Sequence, residues 1–150
     1  MGDVPIKPVP VPDAMSAGYW EAANRGVLSL PRCSACSQFT LPASALCPRC
    51  GSTSPAWTTE PVSGDGRVRS WTVVRDSFLP GFAADVPYVI VDVELDLQED
   101  LRLLGRLTDG VDAPLQVGDR VTVAFDRLDD EFAVPAFTLT SADADAGSAA

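Results

Sequence analysis

The chain has 150 residues, 46% of them hydrophobic and 21% charged, with a net charge of -10 and no histidine. That is the composition of one ordinary globular domain or two small ones rather than of a disordered chain, and no apolar run reaches the roughly eighteen residues of a membrane span. The charge is uneven: residues 1–75 hold seven basic residues against five acids (net +2), and residues 76–150 hold four arginines against sixteen acids (net -12), so the second half would repel a nucleic-acid backbone.

Residues 1–15 open with Pro5, Pro8, Pro10 and Pro12 set between apolar residues. Proline fixes φ and has no N–H, so this stretch reads as an extended, Pro-rich arm. Its prolines and acids stand where a secretory leader would carry a basic and then an apolar region, and Ile6 stands where a myristoylation signal needs Ser or Thr. The expectation is a soluble cytoplasmic protein. "SAGYWEAANRG" (16–26) reads as a short helix with Ser16 as its cap and Gly26 as its stop. A helix this short needs tertiary contacts to persist, and Tyr19 and Trp20 make it unusually aromatic. "VLSLPR" then reads as a strand leading into the first cysteine pair.

Beyond the cysteines, "AWTTE" reads as a short strand and "PVSGDG" as a turn. From there the pattern is all-β, with strands over 67–75, 87–96, 101–107, 119–126 and 132–140. Alternation is clearest in "VIVDVEL", which puts Val91, Val93 and Leu95 on one face and Asp92, Glu94 and Asp96 on the other. The longer loop "DSFLPGFAADV" carries Phe78, Leu79 and Phe82, more apolar than a solvated loop requires. The ending "SADADAGSAA" (141–150) reads as a disordered tail. The fold expected is mostly β: a short helix and four-cysteine zinc ribbon over 16–60, then a five-stranded OB-like barrel over 61–140. A barrel removes the exposed edges of a flat sheet, and an SH3-like barrel is also compatible with five such strands.

All four cysteines lie in "RCSACSQFTLPASALCPRC", spaced Cys33-x2-Cys36-x10-Cys47-x2-Cys50. A cytoplasmic protein does not hold disulfides, and a thioredoxin-type motif uses a single pair within a βαβ pattern. Two pairs at this spacing suit two knuckles whose thiolates close a tetrahedron around one structural Zn2+; rubredoxin-like iron shares the ligand set. Pro48 fixes the turn of the second knuckle, Gly51 takes the positive φ after it, and Arg32 and Arg49 stand where thiolates need compensating charge. Four filled positions leave the metal no open site for catalysis, so it serves to fold a segment too small for its own core.

"YWEAANRGVLSLPRCSACSQFTLPASALCPRCG", "GDGRVRSWTVV", "PYVIVDVELD" followed by "LRLLGRL", and "VGDRVTVAFD" together resemble the zinc-ribbon plus OB-fold acyl-CoA-associated proteins over residues 19–140. The resemblance implies a small non-catalytic partner of a thiolase-superfamily enzyme, such as a thiolase or a lipid-transfer-protein-type retro-aldolase. It implies a hetero-oligomer with two of each chain, an acyl-CoA ester bound in or near the complex, and a place in steroid side-chain or related lipid catabolism. On this likeness Tyr19, Trp20, Arg25, Arg32, Arg49, Phe78, Leu79 and Phe82 are the candidate contacts to CoA or to the partner. Ser37 departs from the family pattern, in which a glycine often follows the first cysteine pair. A serine makes a left-handed turn costlier, so the first knuckle is expected to differ in geometry.

The residues themselves support a helper role. Without histidine or a cysteine outside the metal set there is no Cys-His or Ser-His catalysis, and "GDG" (64–66) reads as a turn rather than a phosphate loop. The acids of the second half read as a solvated surface. Tyr19 and Trp20 are equally compatible with packing the helix onto the ribbon, and Trp57 and Trp71 with packing between ribbon and barrel. The arginines are compatible with solubility and thiolate compensation. Two other functions fit less of the sequence: a stand-alone acyl-CoA carrier or sensor, and a single-strand binder stacking bases on Trp71 beside Arg67 and Arg69, which the acidic half opposes.

Overall fold

In the computed structural model, which describes residues 6–140, one helix, α1 (Ala17–Asn24), precedes seven strands: β1 (Ser29–Cys33), β2 (Trp57–Pro61), β3 (Gly66–Val74), β4 (Tyr88–Leu95), β5 (Arg102–Leu107), β6 (Arg120–Arg127) and β7 (Ala133–Leu139). The expected disordered tail, residues 141–150, lies outside the described residues. The five barrel strands each fall within about one residue of the bounds read from the alternation.

The helix is capped differently from the expectation. Ser16 makes no side-chain cap to α1. Instead Asp13 accepts the backbone N–H groups of Met15 (3.0 Å) and Ser16 (2.8 Å) and the Ser16 hydroxyl (2.7 Å). The carboxylate thereby braces the turn that leads into α1, while the Asp13 backbone carbonyl accepts the Ala17 N–H at 2.9 Å. The bonds to the carboxylate, the Ser16 hydroxyl first, hold the Asp13 carboxyl below its ordinary range. The stop is as read: Gly26 sits at φ 73, and Ala23 and Ala22 accept the N–H groups of Gly26 (2.9 Å) and Val27 (3.0 Å), the paired bonds of a left-handed helix end.

β1 and β2 form an antiparallel ribbon from Ser29↔Pro61 to Cys33↔Trp57. The remaining five strands close a barrel in the order β3-β4-β5-β7-β6, antiparallel throughout except for β5 beside β7. Inserting the last strand between its third and fourth is a Greek-key closure, the OB rather than the SH3-like arrangement. Alternation holds in β4, where Val89, Val91, Val93 and Leu95 are buried and the residues between them half-buried. It breaks in β3 at a bulge between Val68 and Ser70, since an extra residue re-aims the side chains after it. The shift pairs Trp71 with the buried Val91, yet Trp71 is 40% exposed rather than enclosed between ribbon and barrel. Trp57 donates its indole N–H to the Ser44 carbonyl (3.0 Å) within the ribbon.

Barrel and ribbon share one core. Val68, Val91, Val93, Val121, Leu107 and Phe137 from the barrel cluster with Tyr19 of α1 and with Leu28 and Leu30 at β1, each such burial contributing about 1.5–3 kcal/mol. A polar clasp adds to this: the Gln98 side-chain amide accepts from Phe39 N–H (2.8 Å) and donates to Phe39 C=O (3.0 Å), copying a β-bridge between the ribbon and the β4–β5 turn. Gly66 permits the closest strand approach, since a Cβ there would lie 2.4 Å from the Glu94 carbonyl oxygen. No helix among the described residues is long and apolar enough to cross a membrane.

Candidate functional site

The two knuckles are built alike. Cys33 C=O accepts Ser37 N–H (2.9 Å) and Cys33 N–H reaches Gln38 C=O (2.9 Å); fourteen residues on, Cys47 C=O accepts Gly51 N–H (2.9 Å) and Cys47 N–H reaches Ser52 C=O (3.0 Å). Each turn ends in a left-handed residue, Ser37 at φ 61 and Gly51 at φ 73. The first knuckle therefore keeps the geometry of the second despite its serine, contrary to the expected difference. The strain is held by Arg32, whose Nε donates to Ser37 C=O at 2.9 Å. Ser37→Gly is expected to stabilise the chain by about 0.5–1 kcal/mol, the relief of the Cβ clash less the added freedom of the unfolded chain. Thermal melts of the zinc-loaded variant check it, and a lowered midpoint would refute it.

The four sulfurs of Cys33, Cys36, Cys47 and Cys50 lie within 4.8 Å of one another, and Cys36 Sγ is 3.8 Å from Cys47 Sγ. A tetrahedron with Zn–S bonds of about 2.3 Å has edges of about 3.8 Å, so the donor set fits one Zn2+ with every ligand supplied by the chain. Burial opposes ionisation of Cys47, yet the backbone N–H groups of Cys50 and Arg49 aimed at it, with the neighbouring thiols, bring it down to about 7. Cys33 and Cys47 are buried, Cys36 is half-buried and Cys50 exposed, so the cage is anchored inside and open at one corner.

Of the other candidates, the arginines disperse. Arg32 is engaged internally, with Glu60 at 3.3 Å and its guanidinium 5.6 Å from the Phe39 ring centre. Arg49 is exposed and reaches the Glu99 carbonyl at 3.4 Å. Arg25 is exposed at the C-terminal end of α1. The aromatic residues converge instead. Tyr19 is buried and Trp20 half-buried, meeting edge to face with ring centres 4.8 Å apart; burial pushes the Tyr19 phenol up to about 12. They line a groove of about 610 Å3 together with Lys7, Phe82, Ile90, Leu104 and Gly105. Phe78 (96% exposed) and Leu79 (60% exposed) stand on the same loop as Phe82.

Part of this lining is held in place by residues the sequence reading did not single out. Lys7 and Arg106 both reach Asp85 Oδ2, at 2.6 and 3.2 Å. Lys7 also lies over the Phe82 ring at 5.2 Å and Arg106 over Tyr88 at 5.0 Å. The Lys7 ammonium first, then Arg106, holds the Asp85 carboxyl below the usual carboxylate range against its partial burial. One carboxylate thus ties the N-terminal arm and the apolar loop to β5. The three residues share no local motif, and no periodicity could have found them.

The chain's relatives agree with this architecture. Residues 20–56 match the family model described as the ChsH2 rubredoxin-like zinc ribbon domain, and residues 59–126 that of the ChsH2 C-terminal OB-fold domain. A solved chain of an Ltp2–ChsH2 (DUF35) aldolase is 30% identical with a TM-score of 0.73, covering 87% of this chain and 98% of that one. A "Probable enoyl-CoA hydratase alpha subunit" of Thermomonospora curvata is 32% identical over 132 residues, 88% of this chain but 40% of that relative's length. A DUF35 domain-containing scaffold protein of Methanocaldococcus jannaschii is 28% identical over 100 residues, 67% of this chain and 68% of its own. A DUF35 structure from Sulfolobus solfataricus, 15% identical with a TM-score of 0.54, shares the fold. A rubredoxin-like ribbon whose four thiols fit one structural zinc, followed by a five-stranded OB barrel, places this chain in the ChsH2 (DUF35) family.

Proposed function

We propose that the chain is a non-catalytic accessory subunit of a thiolase-superfamily enzyme acting on an acyl-CoA ester, assembled as two of each chain. The observation that carries the reading is the match, over nearly the whole of its length, to the ChsH2 chain of an Ltp2–ChsH2 aldolase. The residues support it. With no histidine in the sequence and four thiols gathered into one cage, the chain has neither the usual proton shuttle nor a spare thiol nucleophile. It does present an apolar loop, Phe78 and Leu79, of the kind that marks an interface. The reacting carbon belongs in this account to the larger subunit, and the acyl group, with a steroid side chain or a related lipid as the favoured class, is selected there.

The test is activity by reconstitution. The purified, zinc-loaded chain alone is expected to turn over no acyl-CoA, and adding it to its thiolase-superfamily partner is expected to raise that partner's activity on its CoA ester. Turnover by the isolated chain would sink the assignment. Stoichiometric binding of a CoA ester to the lone chain in a calorimeter, with no effect on any partner, would favour a free-standing acyl-CoA carrier instead.

A further inference from the structure

The four sulfurs of the cage share one small volume but differ in exposure. The first cysteine of each knuckle is sealed, with Cys33 and Cys47 each 1% exposed. The second is not: Cys36 is half-buried and Cys50 exposed. The inner pair is also held by its turns, with Ala35 N–H reaching Cys33 Sγ at 3.4 Å and the Arg49 and Cys50 N–H groups aimed at Cys47. Arg49, beside Cys50 in the chain, is exposed, reaches the Glu99 carbonyl at 3.4 Å and pairs with no carboxylate among the described residues. An accessible thiolate next to such a cation is the setting in which a cysteine is oxidised. A second thiol is within reach, because all four Sγ atoms lie within 4.8 Å of one another. Cys47 is on the same turn as Cys50, closed by the Gly51 N–H donating to Cys47 C=O at 2.9 Å.

We propose that the cage is a redox latch: a hydroperoxide oxidises Cys50, Cys47 closes a disulfide with it, and the ribbon gives up its metal. The Cys50 thiolate attacks one peroxide oxygen, the O–O bond breaks, hydroxide leaves, and the sulfur becomes a sulfenic acid. The Cys47 thiolate then attacks that sulfur; the S–S bond forms, the S–O bond breaks and a second hydroxide leaves. Two thiolates have thereby given two electrons to the peroxide. Cys33 and Cys36 alone remain as donors, half the set that a structural zinc needs. Loss of the metal loosens the ribbon, which has no core of its own, while the barrel strands keep their pairing. The change is felt outside the cage, since Gln98 of the β4–β5 turn clasps Phe39 between the knuckles. A thiol reductant and zinc reverse it. The inference rests on the cage and is independent of the accessory-subunit reading.

The full-length, zinc-loaded chain would be treated with one equivalent of hydrogen peroxide in the presence of a colorimetric zinc chelator, then mapped by mass spectrometry. One zinc released per chain, the loss of two hydrogens and a Cys47–Cys50 disulfide are expected, with faster amide exchange through β1 and β2 and not through β4. Dithiothreitol followed by zinc should restore the starting state. Cys50→His keeps a donor that zinc accepts in Cys3His sites but cannot form the disulfide, so it should release metal at least about tenfold more slowly. Cys36→His keeps the Cys47–Cys50 pair and should release metal as fast as the unaltered chain. Metal analysis shows whether each variant starts loaded; where one does not, the disulfide map of the unaltered chain decides. Peroxide that leaves the metal in place, or a disulfide other than Cys47–Cys50, overturns the proposal. So does a loaded Cys50→His chain that loses zinc as fast as the unaltered one.

Discussion

Cys47→Ser is expected to release the metal and unfold the ribbon. Cys47 is buried, 1% exposed, and its sulfur is one corner of the four-thiol cage. A serine hydroxyl is a poorer zinc donor, shorter in reach and un-ionised at neutral pH. The cost is large because the ribbon has little else. Its two strands share five residue pairs, and Leu28 and Leu30 beside β1 are buried in the common core rather than in one of the ribbon's own. Structural zinc contributes about 10–16 kcal/mol of apparent binding free energy at neutral pH, comparable with the roughly 5–15 kcal/mol that keeps a whole domain folded. Metal analysis should give one zinc per unaltered chain and far less in the variant, with fast amide exchange through β1 and β2. A variant that keeps one metal per chain and a protected ribbon would contradict the cage.

Phe137→Ala is expected to cost about 3–5 kcal/mol, the range for deleting a fully buried ring. Phe137 is 0% exposed and lies where the barrel closes: on β7, opposite Leu107 across the parallel pair and Val123 across the antiparallel one. Its ring covers the space left by Gly105, where a Cβ would lie 2.8 Å away. Truncation therefore opens a cavity at the seam that joins β5, β7 and β6, and relaxation is limited because strands on both sides are hydrogen-bonded. Urea unfolding of the zinc-loaded variant measures the loss. A change below about 1 kcal/mol would mean that this seam collapses without a penalty and that the barrel core is centred elsewhere.

The parts of the molecule legible in the sequence are those with a local period or spacing. The alternation of Val89, Val91, Val93 and Leu95 dictates a strand with one buried face, and it is found so. Two Cys-x-x-Cys pairs dictate two knuckles, because the turn geometry is fixed within five residues. Pairing over long distances left no such trace. Insertion of β7 between β5 and β6 depends on contacts about thirty residues apart, and five alternating strands suit two barrels equally. Lys7 and Asp85 are 78 positions apart, and nothing near either announces the other. The bulge that pairs Trp71 with Val91 has no local signal in the sequence, and nothing in the pattern around Trp71 announces that it stays 40% exposed. The Asp13 brace on the turn before α1 went unread because Ser16 stands at the usual cap position. Arg32, read as a charge for thiolates or CoA, is occupied in holding the strained Ser37 turn.

The central proposal is that this chain works as part of a complex with a thiolase-superfamily enzyme. The most direct test is to co-express this chain with the thiolase-superfamily protein encoded nearest to it and to measure the mass of what elutes together. The account predicts a stable complex with two of each chain, carrying one zinc per small subunit. Two proteins eluting separately, with this chain soluble and zinc-loaded, would contradict it.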